Sequence, residues 1–183
     1  MPVPLRARPA VLVATLASVA ALAALLVSLT ASPAAAQVTL ARCVGTRDVA
    51  MSPGLNDVRR DVTFDTRNTL DACVSLTPPL LTSATSSSLV TAPRSCSDLV
   101  GRAATTSVLT WSTGATSTLS YTIDTVFAAG QIVNTQQGTV VAGRFAGASI
   151  LGVVALVADL TQCATPTGIT STSGPYTLTF LGA

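Results

Sequence analysis

The sequence contains no histidine, no lysine and no glutamate. Without histidine a chain cannot run a Ser-His-Asp or Cys-His nucleophilic system. Zinc sites with imidazole ligands, and copper sites that need an N-terminal histidine, are closed to it as well. The missing lysine and glutamate remove the commonest alternative general bases, leaving Asp, Tyr, Ser/Thr and Arg for any chemistry. Aromatic residues are sparse too: one Trp, two Tyr and four Phe. No glycine-rich phosphate loop follows a predicted strand, so nucleotide binding has no support.

What is present begins with an apolar leader. Arg6 and Arg8 precede an uncharged run from about Val11 to Leu29, and small residues ending in Ala34-Ala35-Ala36 follow. This is the three-part layout of a secretory signal peptide. The expected domain organisation is a signal peptide over 1–36, forming a signal helix, and a single domain over 37–183 that begins at Gln37. The run is long enough to compete with a retained anchor, since roughly 17 to 25 apolar residues cross a bilayer. Lipidation at Cys43 is disfavoured because Arg42 stands where a small residue is needed. All these readings place the domain outside the cytoplasm, and cleavage leaves nothing to hold it in a membrane. Removing the leader also removes Arg6 and Arg8, so eight arginines face eight aspartates. The net charge is then zero, and no basic surface for nucleic acid is expected.

Four cysteines remain, Cys43, Cys73, Cys96 and Cys163. An even number in an oxidising compartment implies two disulfides. Their spacing contains no C-x-x-C pair, which argues against a metal site, and no cofactor is expected. Four cysteines allow three connectivities. A hairpin would bring Cys43 beside Cys73, leaving Cys96 for Cys163.

Period-two patterning interrupted by Gly, Pro, Asn and Ser dominates the domain, with no competing helical period, and predicts an all-β antiparallel sandwich, immunoglobulin-like or jelly-roll-like, of eight or nine strands. In "TLSYTIDTVF", Leu119, Tyr121, Ile123 and Phe127 share one face; Leu109 and Trp111 fall on the same parity, and Tyr176, Leu178 and Phe180 form another inward set. "GASILGVVALVADL" is apolar at almost every position, which predicts a central strand covered on both faces. "LLTSATSSSLVT" is a candidate exposed edge.

The segment "VRRDVTFDTRNTLDA", Val58 to Ala72, concentrates charge. Read as a strand, it places Arg59, Asp61, Thr63, Asp65, Arg67, Thr69 and Asp71 on one side, and Val62, Phe64, Leu70 and Ala72 on the other. Aspartates alternating with arginine describe a wet strand face, where each ion pair contributes about 0 to 1 kcal/mol. A calcium site built on Asp57, Asp61 and Asp65 is the rival, though no EF-hand spacing is present. A hydrolase using Asp61 and Asp65 is disfavoured, because flanking arginines keep both carboxylates ionised.

The alanine-rich leader, "SPGL" after the first strand, "CVSL" at Cys73, "LTWSTGATSTLSYT", "GTVVAGRFAGASI" and "TQC" at Cys163 together resemble, in order along most of the chain, a group of small secreted actinobacterial proteins of unknown function. That resemblance implies export and a disulfide-bearing β-sandwich, and carries over no activity, ligand or functional residue. The expected function is therefore non-enzymatic: an extracellular structural or surface-associated module. The alternative is a carbohydrate or cell-wall binding module whose partner is a cell-wall or environmental polysaccharide. Its best exposed ring would be Phe145, set between glycines, since Trp111 falls on a core parity.

Intact mass spectrometry of the exported protein checks the leader and the cysteines together. A chain starting at Gln37 that gains mass on reduction and alkylation at four sites is expected; a chain retaining residues 1–36, or free thiols before reduction, would contradict the reading.

Overall fold

The computed structural model describes residues 37–182, and the leader and its predicted helix lie outside these residues. Eight strands follow one another: β1 (Val38–Leu55), β2 (Arg60–Ser75), β3 (Ala84–Arg94), β4 (Gly101–Trp111), β5 (Thr116–Ala128), β6 (Gln131–Gly143), β7 (Ser149–Val157) and β8 (Ile169–Gly182). Each pairs antiparallel with the next, and β8 returns to pair with β1, so the sheet closes into a barrel. The predicted sandwich is thereby corrected, while the all-β character holds. Period-two burial is common to both architectures, because each hides one face of every strand. Topology separates them. Here every sequence neighbour is a sheet neighbour, and the β1–β8 ladder from Val38↔Gly182 to Leu55↔Ile169 removes the edge strands that a sandwich would keep.

Local signals explain the hairpins. Ala129 and Gly130, both at positive φ, form the tight turn between β5 and β6, and Gly114 at φ +80 turns β4 into β5. A bulge opposite Val44–Thr46 shifts the phase of β2. Its inward positions are even through Leu70 and odd from Cys73, so Ala72, expected on the apolar face, is exposed. β7 is a strand, but not one covered on both sides. It alternates, with Ile150, Val154 and Leu156 inward and Leu151, Val153 and Val157 on the outer wall.

One end of the barrel is plugged. Trp111, Phe145 and Phe180 stack there with ring centroids 5.2 to 5.6 Å apart. The indole Nε1 donates to Ser117 Oγ at 2.8 Å, and that hydroxyl donates to Arg144 O at 2.6 Å, so the indole N–H and the hydroxyl are both paired. Leu70, Leu109, Leu119, Val140, Ile150 and Leu178 fill the space around the rings. At the opposite end Met51, Leu55, Val62 and Ile169 gather about Cys96. Two short 3-10 turns, Cys96–Leu99 and Leu160–Ala164, lie at this end.

The four cysteines form two disulfides. Cys43 and Cys73 are direct cross-strand partners on β1 and β2, and Cys96–Cys163 ties the two 3-10 turns together. Loop closure by links 30 and 67 residues apart removes about 3.6 and 4.4 kcal/mol respectively of unfolded-state entropy. The outer wall of β1 and β2 carries exposed Arg42, Asp48, Asp61, Arg67 and Asp71 beside exposed Val44 and Val74; among the described residues, no helix is long and apolar enough to cross a membrane. Replacing Cys96 and Cys163 together by Ala should lower unfolding free energy by about 2 to 5 kcal/mol, and by no less than the Cys43/Cys73 double replacement. Denaturant unfolding measures both; an unchanged midpoint for the Cys96/Cys163 variant would contradict the assignment.

Candidate functional site

Charge is found in an unexpected place: inside the barrel. Arg47 shares the inward parity of β1 with Ala41, Cys43, Val49 and Met51, and is only 6% exposed. Its side chain spans the lumen. Nε donates to Asn68 Oδ1 on β2 at 2.6 Å, and Nη1 and Nη2 each donate, at 2.8 Å, to the amide oxygen of Gln136 on β6. This orientation of Gln136 sets its Nε2 2.9 Å from the Tyr176 hydroxyl oxygen; the reverse orientation would press an NH2 group against the guanidinium. The cation also lies 4.8 Å from the centre of the Tyr176 ring. Asn68 completes the layer by donating Nδ2 to Ser86 Oγ on β3.

No carboxylate joins this layer. The ion pairs among the described residues are Arg59–Asp98, Arg67–Asp65 and Arg102–Asp124, all at the surface. Asp48, next to Arg47 in sequence, points outward and is exposed. Burying an ion without a counter-charge costs several kcal/mol. Hydrogen bonds to a charged group return about 1.5 to 3 kcal/mol each, and a desolvated cation–π contact about 2 kcal/mol. The amides and the ring thus hold a cation that nothing neutralises. Burial pushes the Tyr176 phenol well above its usual range, the Arg47 charge pulling the other way, so the hydroxyl stays protonated.

The layer divides the interior. On the side away from the aromatic plug lies a cavity of about 330 Å³, lined largely by apolar groups including Val49, Phe64, Ile123, Ile132, Leu156 and Leu99. Thr172 and Asn134 add polar atoms to the lining, and the Asn134 Oδ1 is buried without a partner. Arg94 and Asp98 stand at the rim. Asp98 is fixed there: Ser95 donates to it from its backbone N and its hydroxyl at 2.8 and 2.9 Å, and Arg59 Nη1 donates to both its oxygens at 2.7 Å. These bonds, those from Ser95 foremost, hold its carboxyl below the usual carboxylate range.

The cavity reaches a side opening as well as the rim. β3 and β4 are joined only at Ala84↔Trp111 and Thr85↔Thr110, whereas β3 pairs with β2 along its whole length and β4 pairs with β5 from Gly101 to Thr110. Past those two pairs the strands diverge, and Val90 and Ala92 of β3 and Ala103 of β4 border the cavity beside the seam. The Ser/Thr-rich segment read as an exposed edge is β3, one side of this seam.

The residues singled out from sequence lie elsewhere. Asp61 and Asp71 are exposed on the outer wall, and Asp65 is ion-paired with Arg67 at 3.0 Å, so the charged face of β2 is wet. Asp57, Asp61 and Asp65 do not converge. Among the described residues the group close enough to share an ion is Asp57, Cys96 and Cys163, whose sulfurs are consumed in a disulfide. Phe145 is no exposed sugar platform: it packs edge-on against Trp111, with Arg144 over its other surface. Phe127, expected in the core, is 46% exposed at the end of β5. Arg47 and Gln136 were missed, although their parity, shared with Val49 and Met51 and with Ile132 and Val140, was a readable signal.

Comparison of the chain with models of known protein families, with the curated proteins and with solved structures finds no match.

The placement of Gln136 depends on a glycine opposite it. A Cβ at Gly152 would meet the Gln136 amide nitrogen Nε2, in the orientation described above, at 2.8 Å and the Gln136 Cβ at 3.1 Å. Gly152→Val should therefore cost about 1 to 3 kcal/mol of stability by overpacking, read from denaturant unfolding. Wild-type stability in that variant would show that Gln136 does not lie across the lumen.

Proposed function

We propose that the chain is an exported, non-enzymatic binding barrel that takes a small, largely apolar ligand into its open half. The observation that carries this reading is the 330 Å³ cavity, apolar in its walls and reachable from the rim and from the β3–β4 seam. Ligand sites in proteins are concave and mostly apolar, with a few placed polar groups. An apolar cavity of about 150 Å³ already admits benzene, so this one has room for a ligand of roughly twice that size. The two disulfides are consistent with an extracellular location. They also suit a protein that must keep part of its interior unfilled, since they supply stability that side-chain packing in the cup does not.

A non-enzymatic role rests on the chemistry available. The cavity presents Asn134, Thr172 and, at its rim, Arg94 and Asp98; Asp98 is locked in hydrogen bonds and held ionised, which suits an anchor better than a proton donor. The polysaccharide reading loses support with Trp111 buried and Phe145 half-buried, packed against each other in the plug.

The neutral fluorescent probe N-phenylnaphthylamine tests the proposal. It should bind the folded protein at one site, and Ala103→Trp, which sets a large ring beside the seam at an exposed position, should weaken binding by about tenfold, or 1.4 kcal/mol, without loss of fold. No binding to the wild type, or equal binding by a folded Ala103→Trp protein, would overturn it.

A further inference from the structure

The polar layer beneath the cavity says what kind of head the ligand carries. Along β1 the inward residue before cavity-lining Val49 is Arg47, and along β6 the one after cavity-lining Asn134 is Gln136. One strand repeat separates the members of each pair, about 7 Å. On β8, Thr172 borders the cavity and Tyr176 belongs to the layer, with glycine at 174 between them. No side chain therefore intervenes on that strand.

The layer also keeps unspent donors. The bonds to Asn68 and Gln136 use one hydrogen on each guanidinium nitrogen, so each Nη retains a second N–H. The Tyr176 hydroxyl accepts from Gln136, which leaves its own proton to donate. Unspent donors in one layer with a cation that has no counter-charge, one strand repeat from the cavity lining, suit an acceptor of negative charge, and the apolar walls of the cavity suit what is attached to it.

We propose that the ligand is an amphipathic monocarboxylate, an unbranched alkyl chain ending in one carboxylate, seated with its head on the layer of Arg47, Gln136 and Tyr176 and its chain along Val49, Phe64, Ile123 and Leu156. The inference rests on the interior-binding reading above. A carboxylate supplies the missing charge and accepts from the fork of N–H groups in two places at once. A phosphate monoester head is the wrong match, since it brings nearly two negative charges to one buried cation. The rim offers a competing anion site at Arg94, but that residue is exposed and would hold a hydrated head, leaving Arg47 without a counter-charge.

Displacement of N-phenylnaphthylamine from the folded chain by decanoate, decanol and decylamine tests the assignment. Decanoate should displace the probe at a concentration at least tenfold below that of either analogue of equal length, and the gap should close in Arg47→Met. Equal displacement by decanol and decanoate would overturn the head group while leaving the cavity reading intact; failure of the probe itself to bind would remove both. Should Arg47→Met fail to fold, the wild-type protein still decides the matter. The NMR titration of decanoate isotope-labelled at its carboxyl carbon should show the bound head ionising at a lower pH than free decanoate. A bound head that titrates as the free acid does would place it in water at the rim and refute the proposal.

Discussion

The guanidinium of Arg47, laid across the lumen from β1 to Gln136 on β6, organises everything inside this barrel. A strand pair with one wet and one dry face has no difficulty placing arginine; the difficulty arises when the dry faces of eight strands close on one another. At that point any inward polar group must find its partners within the lumen. Arg47 finds two amide side chains and an aromatic face. Those partners are large and directional, so they occupy one cross-section as a layer. Gly152 is where it is because Gln136 needs the space that a side chain there would fill.

The two halves of the interior follow from that layer. On one side the aromatic trio and its aliphatic shell pack to a plug, with Trp111 and Ser117 sharing a hydrogen bond. On the other side the inward residues are shorter or further apart: Ala92, Ala103, Thr125 and Thr172 face Val49 and Ile123 across open space. The β3–β4 seam belongs to the same half. Ser86, Ser88, Thr105 and Ser107 hold inward positions along it and contribute little apolar area, so the hydrophobic drive to zip the two strands together is weak there. The Cys96–Cys163 link ties down the 3-10 turn that joins β3 to β4, which lets the seam part without freeing the loop beyond it.

Much of the local structure was legible in the sequence. The inward sets on β4 and β8 followed from parity alone: Leu109 with Trp111, and Tyr176 with Leu178 and Phe180, are buried; on β5 Leu119 is buried, Tyr121 and Ile123 are half-buried and Phe127 is exposed, and two disulfides followed from the cysteine count. The wet face of β2 was legible because Asp61, Asp65 and Arg67 alternate with Val62 and Phe64. What parity could not carry was global. It reports that a face is buried without saying against what, and the pairing of β8 with β1 is what separates a barrel from a sandwich. For the same reason β7 looked like a strand covered on both sides: Leu151 and Val153 are apolar, yet they sit on an outer wall. The site was hidden for a different reason. The arginines weighed from sequence are those of the wet face of β2, and the one at position 47, on the inward parity of Val49 and Met51, carries its signal on a different strand.

The burial of that charge can be measured directly. In proton-detected NMR of arginine side chains, the account predicts that one Nε–H, assigned to Arg47, exchanges with water far more slowly than those of exposed arginines such as Arg42 and Arg67. It also predicts contacts from that proton to the side chain of Asn68. If every arginine Nε–H exchanges at a common fast rate, the guanidinium lies in water, and the layered interior described for this barrel is wrong.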